Sequence, residues 1–230
     1  MTPGIALGLS AAAPTAGLAE RPAELLVLLG VLALVPMGLV VLTSFLKMAV
    51  VLSLTRSALG APQIPPSSAV TGLALLLTLV VMSPVAEESW RLARAVPAGG
   101  VERTLEAASA AAEPLRGFLG RFARQDDRQT FLELARRARP LATRSSVTEI
   151  DFAVLAPAFV VSELRRAFTI GFLVFLPFLV VDLLAANVLL ALGLTQLSPT
   201  TVALPFKLLL FVAVDGWKLV ARGLVLGYLA

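Results

Sequence analysis

Two apolar runs joined by a short turn, each interrupted by charge, constrain this chain more than any other feature. Between Ala156 and Val220 a first arm climbs from Ala167 to Leu192, a turn occupies Gly193 to Pro199, and a second arm runs on from Thr200. At about 1.5 Å per residue, each arm is long enough as a helix to cross a hydrocarbon layer of about 30 Å. Asp182 nevertheless lies inside the first arm, and Lys207 and Asp215 lie inside the second. A charge at mid-bilayer costs on the order of 3 kcal/mol, so such residues face protein or water rather than lipid. The pattern predicts a helical hairpin built to be covered by other protein.

Composition agrees with a membrane setting. Hydrophobic residues make up 58% of the chain, against roughly 45–50% in soluble domains, and the mean hydropathy is +0.90. The net charge of +4 is spread along the sequence and aromatics make up only 7%. Nothing forms a basic stripe with interleaved stacking residues, which excludes nucleic acid as a partner. The absence of cysteine and histidine excludes a thiolate nucleophile, a disulfide framework and the common zinc constellations. It also removes the usual general base near neutral pH. No metal or cofactor site is expected.

Upstream, residues 1–24 form an uncharged Ala/Gly/Pro-rich stretch as far as Glu20, interrupted by Pro3 and Pro14. Lacking a basic start and a continuous apolar run, it is expected to be an uncleaved mobile or interfacial tail. Leu25 to Leu46 is charge-free and long enough to span, with Pro36 as a kink point. Thr43 to Ser57 continues as helix with Lys47 and Arg56 on it; Gly60 to Pro66 forces a turn, and Ser68 caps a helix over Ala69 to Val85 that Pro84 helps to end. This is a first hairpin over residues 25–86, and its Lys47–Arg56 tip, free of acids, points to a cytoplasmic side.

Residues 87–148 carry most of the chain's charge. Leu115, Phe118, Leu119 and Phe122 fall at i, i+3, i+4 and i+7, and Phe131, Leu134, Ala135 and Ala138 repeat the spacing, predicting two amphipathic helices. Ser146 and Glu149 have capping-box spacing before the second hairpin, residues 149–230. Pro157 and Pro177 are kink points there, and Gly223 and Gly227 form a small-xxx-small pair suited to tight helix packing. The fold class is therefore an all-α membrane-type protein: two long helical hairpins, four apolar segments in all, with a polar helical insert between them.

Catalytic patterns are incomplete. Ser44-Phe-Leu-Lys47 matches S-x-x-K, but its companion motifs are absent and it lies in an apolar helix. Asp182 and Asp215 would need to share a proton to act as a dyad; with Lys207 between them, charge pairing is the simpler account. Glu163, Arg165 and Arg166 form either a gating cluster or an interfacial helix turn stapled by Glu163 and Arg166. No enzyme is indicated.

The runs PAFVVSELRRAFTIGFLVFLPFLVVDLL and LPFKLLLFVAVDGW resemble the FliP/SctR family, the inner-membrane export-gate protein of type III secretion in flagella and injectisomes. Ser44 to Val85 is similar to the family's N-terminal block, and Glu113 to Ala135 is a third, weaker match in the same order. The ANVLLALG and GLVLGY segments look more like the injectisome branch. The resemblance implies a ring of five copies that, with two smaller export-apparatus membrane proteins, encloses a closed pore for unfolded secreted proteins. It implies a multi-pass protein of the bacterial inner membrane, in contact with lipid, whose assembled complex is displaced toward the periplasm. It also places the pore constriction at the turn Leu194, Thr195, Gln196 and Leu197. The family usually carries methionines there, whose unbranched thioethers adapt to irregular surfaces; Thr195 and Gln196 offer hydrogen bonds instead. A small-molecule or ion transporter using Asp182, Lys207 and Asp215 is the alternative, although the two hairpins show no inverted repeat.

Overall fold

The computed structural model of the chain describes residues 30, 33, 37–38, 40–61, 63–97 and 101–229. The tail expected over residues 1–24 lies outside them, as does most of the run from Leu25 to Leu46. In the unit ending at Leu39, Gly30, Ala33, Met37 and Gly38 are helical.

The second unit, Val40–Ala230, is all-helical among its described residues: α1 Phe45–Ala58, α2 Ser67–Ala95, α3 Val101–Phe122, α4 Gln125–Arg137, a 3-10 turn Leu141–Ser146, α5 Phe152–Ala191, α6 Pro199–Ala213 and α7 Gly216–Leu229. Two of these, α2 and α5, are long and apolar enough to cross a membrane; α6 is apolar but shorter. The 40-residue α5 is the axis. Helices α1, α3, α4 and α6 all pack against it, and α2 packs on α1, α3 and α7.

The α1–α5 contact is close because Gly171 leaves room for Leu54. A Cβ on Gly171 would lie 2.3 Å from Leu54 Cδ1 and 3.1 Å from Leu54 Cβ. Gly171→Ala is expected to destabilise the chain by about 1–3 kcal/mol, the usual cost of overpacking. Thermal unfolding of the purified chain in mild detergent checks this, and trimming the neighbour in Gly171→Ala/Leu54→Ala should recover most of the loss. An unshifted midpoint in Gly171→Ala would show that the two helices slide apart freely.

Several local expectations are overruled. Pro84 sits inside α2, which continues to Ala95 across the expected boundary at residue 86. One missing N–H does not end a helix whose flanking turns are held by packing. Leu134 is 52% exposed, so the apolar face of α4 is narrower than its spacing suggests; Phe131 alone of the two large residues packs on the core. The capping box at Ser146 and Glu149 does not form. Asp151 begins α5 instead, and its carboxylate accepts from Thr148 N at 3.1 Å and Thr148 Oγ1 at 3.0 Å. Those two donors hold the Asp151 carboxyl below the usual aspartate range.

The turn after α5 closes where expected. Gly193 takes φ +72°, its N–H bonds to Leu190 O at 3.1 Å, and Leu194 N–H reaches Leu189 O at 2.9 Å. That is a Schellman motif, which needs a residue tolerant of the left-handed region. The second arm is not one helix, however. It breaks between Ala213 and Gly216, with Asp215 at φ 52°.

Candidate functional site: a buried charge cluster at the helix junction

Residues 159–166 of α5 form the point where the helices meet. Glu163 is fully buried. Its Oε2 lies 3.2 Å from Lys47 Nζ of α1, and its Oε1 accepts from Arg166 NH1 at 2.7 Å. The Tyr228 hydroxyl of α7 donates to Glu163 Oε2. Lys47 Nζ also sits 3.4 Å from the centroid of the Tyr228 ring, a cation–π contact strengthened by exclusion of water.

Aromatic rings enclose this group. Phe118 of α3 stacks on Tyr228 at 5.9 Å and lies 5.6 Å from Phe159, while Phe122 meets Tyr228 edge-on at 4.8 Å. The face predicted from Leu115, Phe118, Leu119 and Phe122 therefore covers an ion cluster as well as a core. A carboxylate in such a site is tolerable only because cations and a hydroxyl satisfy its oxygens.

One residue back, α5 presents a second lock. Ser162, fully buried, donates to Asp127 Oδ2 at 2.7 Å and accepts from Arg124 N at 2.9 Å. Arg165 NH2 stands 3.3 Å from Asp127 Oδ1. The two i,i+3 pairs, Ser162/Arg165 and Glu163/Arg166, lie on neighbouring faces of one helix. One pair holds α4; the other holds α1 and α7. Arg165 thus does not join Glu163, as the sequence grouping suggested; it belongs to α4.

Farther along α5, Lys207 Nζ of α6 pairs with Asp182 Oδ2 at 2.6 Å and approaches Ala58 O, at the C-terminal end of α1, at 3.5 Å. Asp215 is not part of this group; it stands 3.5 Å from Lys218, with both side chains exposed. Phe178–Phe211 at 6.2 Å and Glu163–Tyr228 continue the same pairing, so α6 and α7 run back along α5 in antiparallel register. The turn residues Leu194, Thr195, Gln196 and Leu197 are exposed at the far end from the Glu163 cluster. No group of three metal-ligating side chains occurs among the described residues.

Four members of these clusters were missed from sequence: Lys47, Asp127, Ser162 and Tyr228. Lys47, counted from sequence with Arg56 as part of an acid-free tip, is 3% exposed and engaged by Glu163. Its S-x-x-K partner Ser44 is buried, and its Oγ makes no hydrogen bond. The available signal was a lone lysine in an apolar helix and the only tyrosine in the chain. Gly223 and Gly227 also depart from expectation: nothing lies within 4 Å of a Cβ built at either, so they do not pack tightly within this chain.

Comparison with known proteins places these elements in a family. The FliP family model matches residues 28–224. "Pathogenicity-related ORF2" of Xanthomonas campestris pv. glycines is 44% identical over 206 residues, 89% of this chain and 95% of that protein. "Yop proteins translocation protein R" of Yersinia pestis is 43% identical over 207 residues, covering 89% and 95%. "Flagellar biosynthetic protein FliP" of Caulobacter vibrioides is 44% identical over 211 residues, covering 91% and 77%. Helices α1 to α6 and most of α7 fall inside the matched region, and on that extent of similarity the chain belongs to the FliP family.

Proposed function

We propose that this chain is a core subunit of a type III secretion export gate, one of five copies that close a pore together with two smaller membrane proteins. The family is a structural component of the export apparatus and not an enzyme family. Relatives named for flagellar biosynthesis and for translocation of virulence proteins support a role in protein export from the bacterial inner membrane.

The observation that carries the gate reading is the unbalanced burial of α5 and α6. Their charges are neutralised internally, while large apolar residues point outward without cover: Phe172 is 65% exposed, Leu209 70% and Val212 76%. Apolar faces of this extent are partner or lipid surfaces. In this reading residues 25–86 and 149–230 are hairpins in the assembly, and residues 87–148 are a polar insert joined to the second hairpin through Asp127. The chain is multi-pass, and the assembled complex stands toward the periplasm. Unfolded secreted proteins pass a constriction made by Leu194 to Leu197. Uncharged side chains on a short turn bounded by Gly193 and Pro199 suit a seal that excludes ions by close contact and poor hydration.

Deleting Leu194 to Gln196, or replacing them with glycine, is expected to make cells leak small ions while the chain still assembles. Membrane potential dyes and native gels of the extracted complex read the two outcomes. Cells that stay tight and secrete normally would leave this turn an ordinary connection and move the constriction elsewhere.

A further inference from the structure

We propose that residues 178–213, the far parts of α5 and α6 with the turn between them, bend as one piece about a hinge at Pro177 and Asp215–Gly216. Each helix has a backbone weak point, and the two lie side by side. Pro177 has no N–H for the carbonyl of Leu173, four residues earlier in α5. Across from it the chain breaks between α6 and α7, where Asp215 takes φ 52°, a left-handed conformation that residues other than glycine adopt reluctantly. Phe178 faces Phe211 at 6.2 Å, and Pro177, Val214 and Gly216 line one open apolar cavity of about 290 Å³.

Coincidence is what matters. A break in one helix of a packed pair is splinted by its continuous neighbour; breaks in both at the same level leave no splint. The cavity leaves space on one side of the Phe211 ring. Gly216, which lines the same cavity, lies directly against the ring, where a Cβ would fall 2.2 Å from Phe211 Cε2. The ring is held by Gly216 and by Trp217, edge-on at 5.2 Å, and the open cavity is the side toward which bending can carry it.

The two sides of the hinge are held differently. Below it, Glu163, Lys47, Tyr228 and the Phe118–Phe122 rings lock α1, α3, α5 and α7 together. Above it, Asp182 and Lys207 tie the two arms to each other, so they move as a unit. The arm's polar contact with α1, Lys207 Nζ to Ala58 O, is long at 3.5 Å. Ala58 and Leu59 touch Phe178 and Phe211 at the hinge line itself, and Leu183, Leu184, Val188 and Leu190 beyond are exposed. The inference goes beyond the gate reading and does not need it, because it concerns a single chain.

The chain has no native cysteine, so spin labels can be placed by paired cysteine substitutions. Full-length chain in phosphatidylcholine nanodiscs, one per disc, would carry labels at Ser109 and Val188, spanning the hinge, or at Ser109 and Thr169, both below it. Pulsed electron resonance is expected to give a distance distribution at least twofold broader for the spanning pair. Pro177→Leu with Asp215→Ala should narrow it to the width of the control pair, whereas Asp215→Asn, which still tolerates the left-handed region, should leave it broad. Should the double variant not fold, Pro177→Ala alone is expected to narrow the spanning distribution. Equal widths for the two pairs in the unmodified chain, or a spanning width indifferent to the folded stiffening variants, would overturn the hinge.

Discussion

Glu163→Ala is expected to prevent the chain from accumulating in folded form. The substitution removes the one anion in a fully enclosed group and leaves Lys47, 3% exposed, without a counter-charge. Stranding a buried ion typically costs about 3–5 kcal/mol, a large share of a total stability of about 5–15 kcal/mol. Glu163→Gln should do less harm, since the amide oxygen can still accept from Tyr228 while the charge balance is lost. Lys47→Met with Glu163→Gln should recover part of the deficit. Arg166, 36% exposed along its side chain, can turn its guanidinium to water unaided. The yield of monodisperse protein and its thermal midpoint in mild detergent measure these effects. The comparison is Arg91→Ala, whose exposed pairing with Glu88 is screened by water and should leave stability almost unchanged. If Glu163→Ala behaves like Arg91→Ala, the cluster contributes nothing to the fold.

The second large effect is expected at the Asp182–Lys207 pair, and burial makes it asymmetric. Lys207 is 2% exposed, whereas the Asp182 side chain is 31% exposed. Asp182→Asn therefore strands a buried ammonium against Ala58 O and should cost about 3–5 kcal/mol. Lys207→Met leaves a carboxylate whose side chain is 31% exposed but whose Oδ1 is buried without a partner, so its cost should be smaller than that of stranding the ammonium, about 1–3 kcal/mol. Lys207→Met with Asp182→Leu should recover part of either loss. Lys207→Ala, which also empties the space beside Gly60, should impair assembly more than Arg116→Ala on the polar insert. Extraction of the complex and blue native electrophoresis rank the variants. Equal assembly across all of them would mean that the charges are solvated and their pairing carries no weight.

These two clusters also mark how far the amino-acid sequence reaches. A charge inside an apolar run states by itself that a partner is required, because solvation in an apolar environment is too costly; this reading fits Asp182 and Lys207, whereas Asp215, read the same way, is exposed beside Lys218. The turn at Gly193 was legible too, since glycine is the residue that closes a helix in the left-handed region. So was the face made by Leu115, Phe118, Leu119 and Phe122, because helical periodicity is a property of neighbouring residues. Pro84 and Asp215 show where that local logic stops. Pro84 by itself predicts a helix end, yet packing carries α2 through it. The Asp215–Gly216 pair sits in an apolar period that continues on both sides, which masked the break. Apart from the i,i+3 pairing of Glu163 with Arg166, which partner each charge takes was decided only in three dimensions. Antiparallel register along α5 brings Lys207 rather than Lys218 to Asp182, and carries Tyr228 back to Glu163. The packing of α1 against Gly171 brings Lys47 to the same carboxylate, and the docking of α4 gives Arg165 to Asp127. Residues distant along the chain share no periodicity, so only the packed helices could choose among partners of equal chemistry.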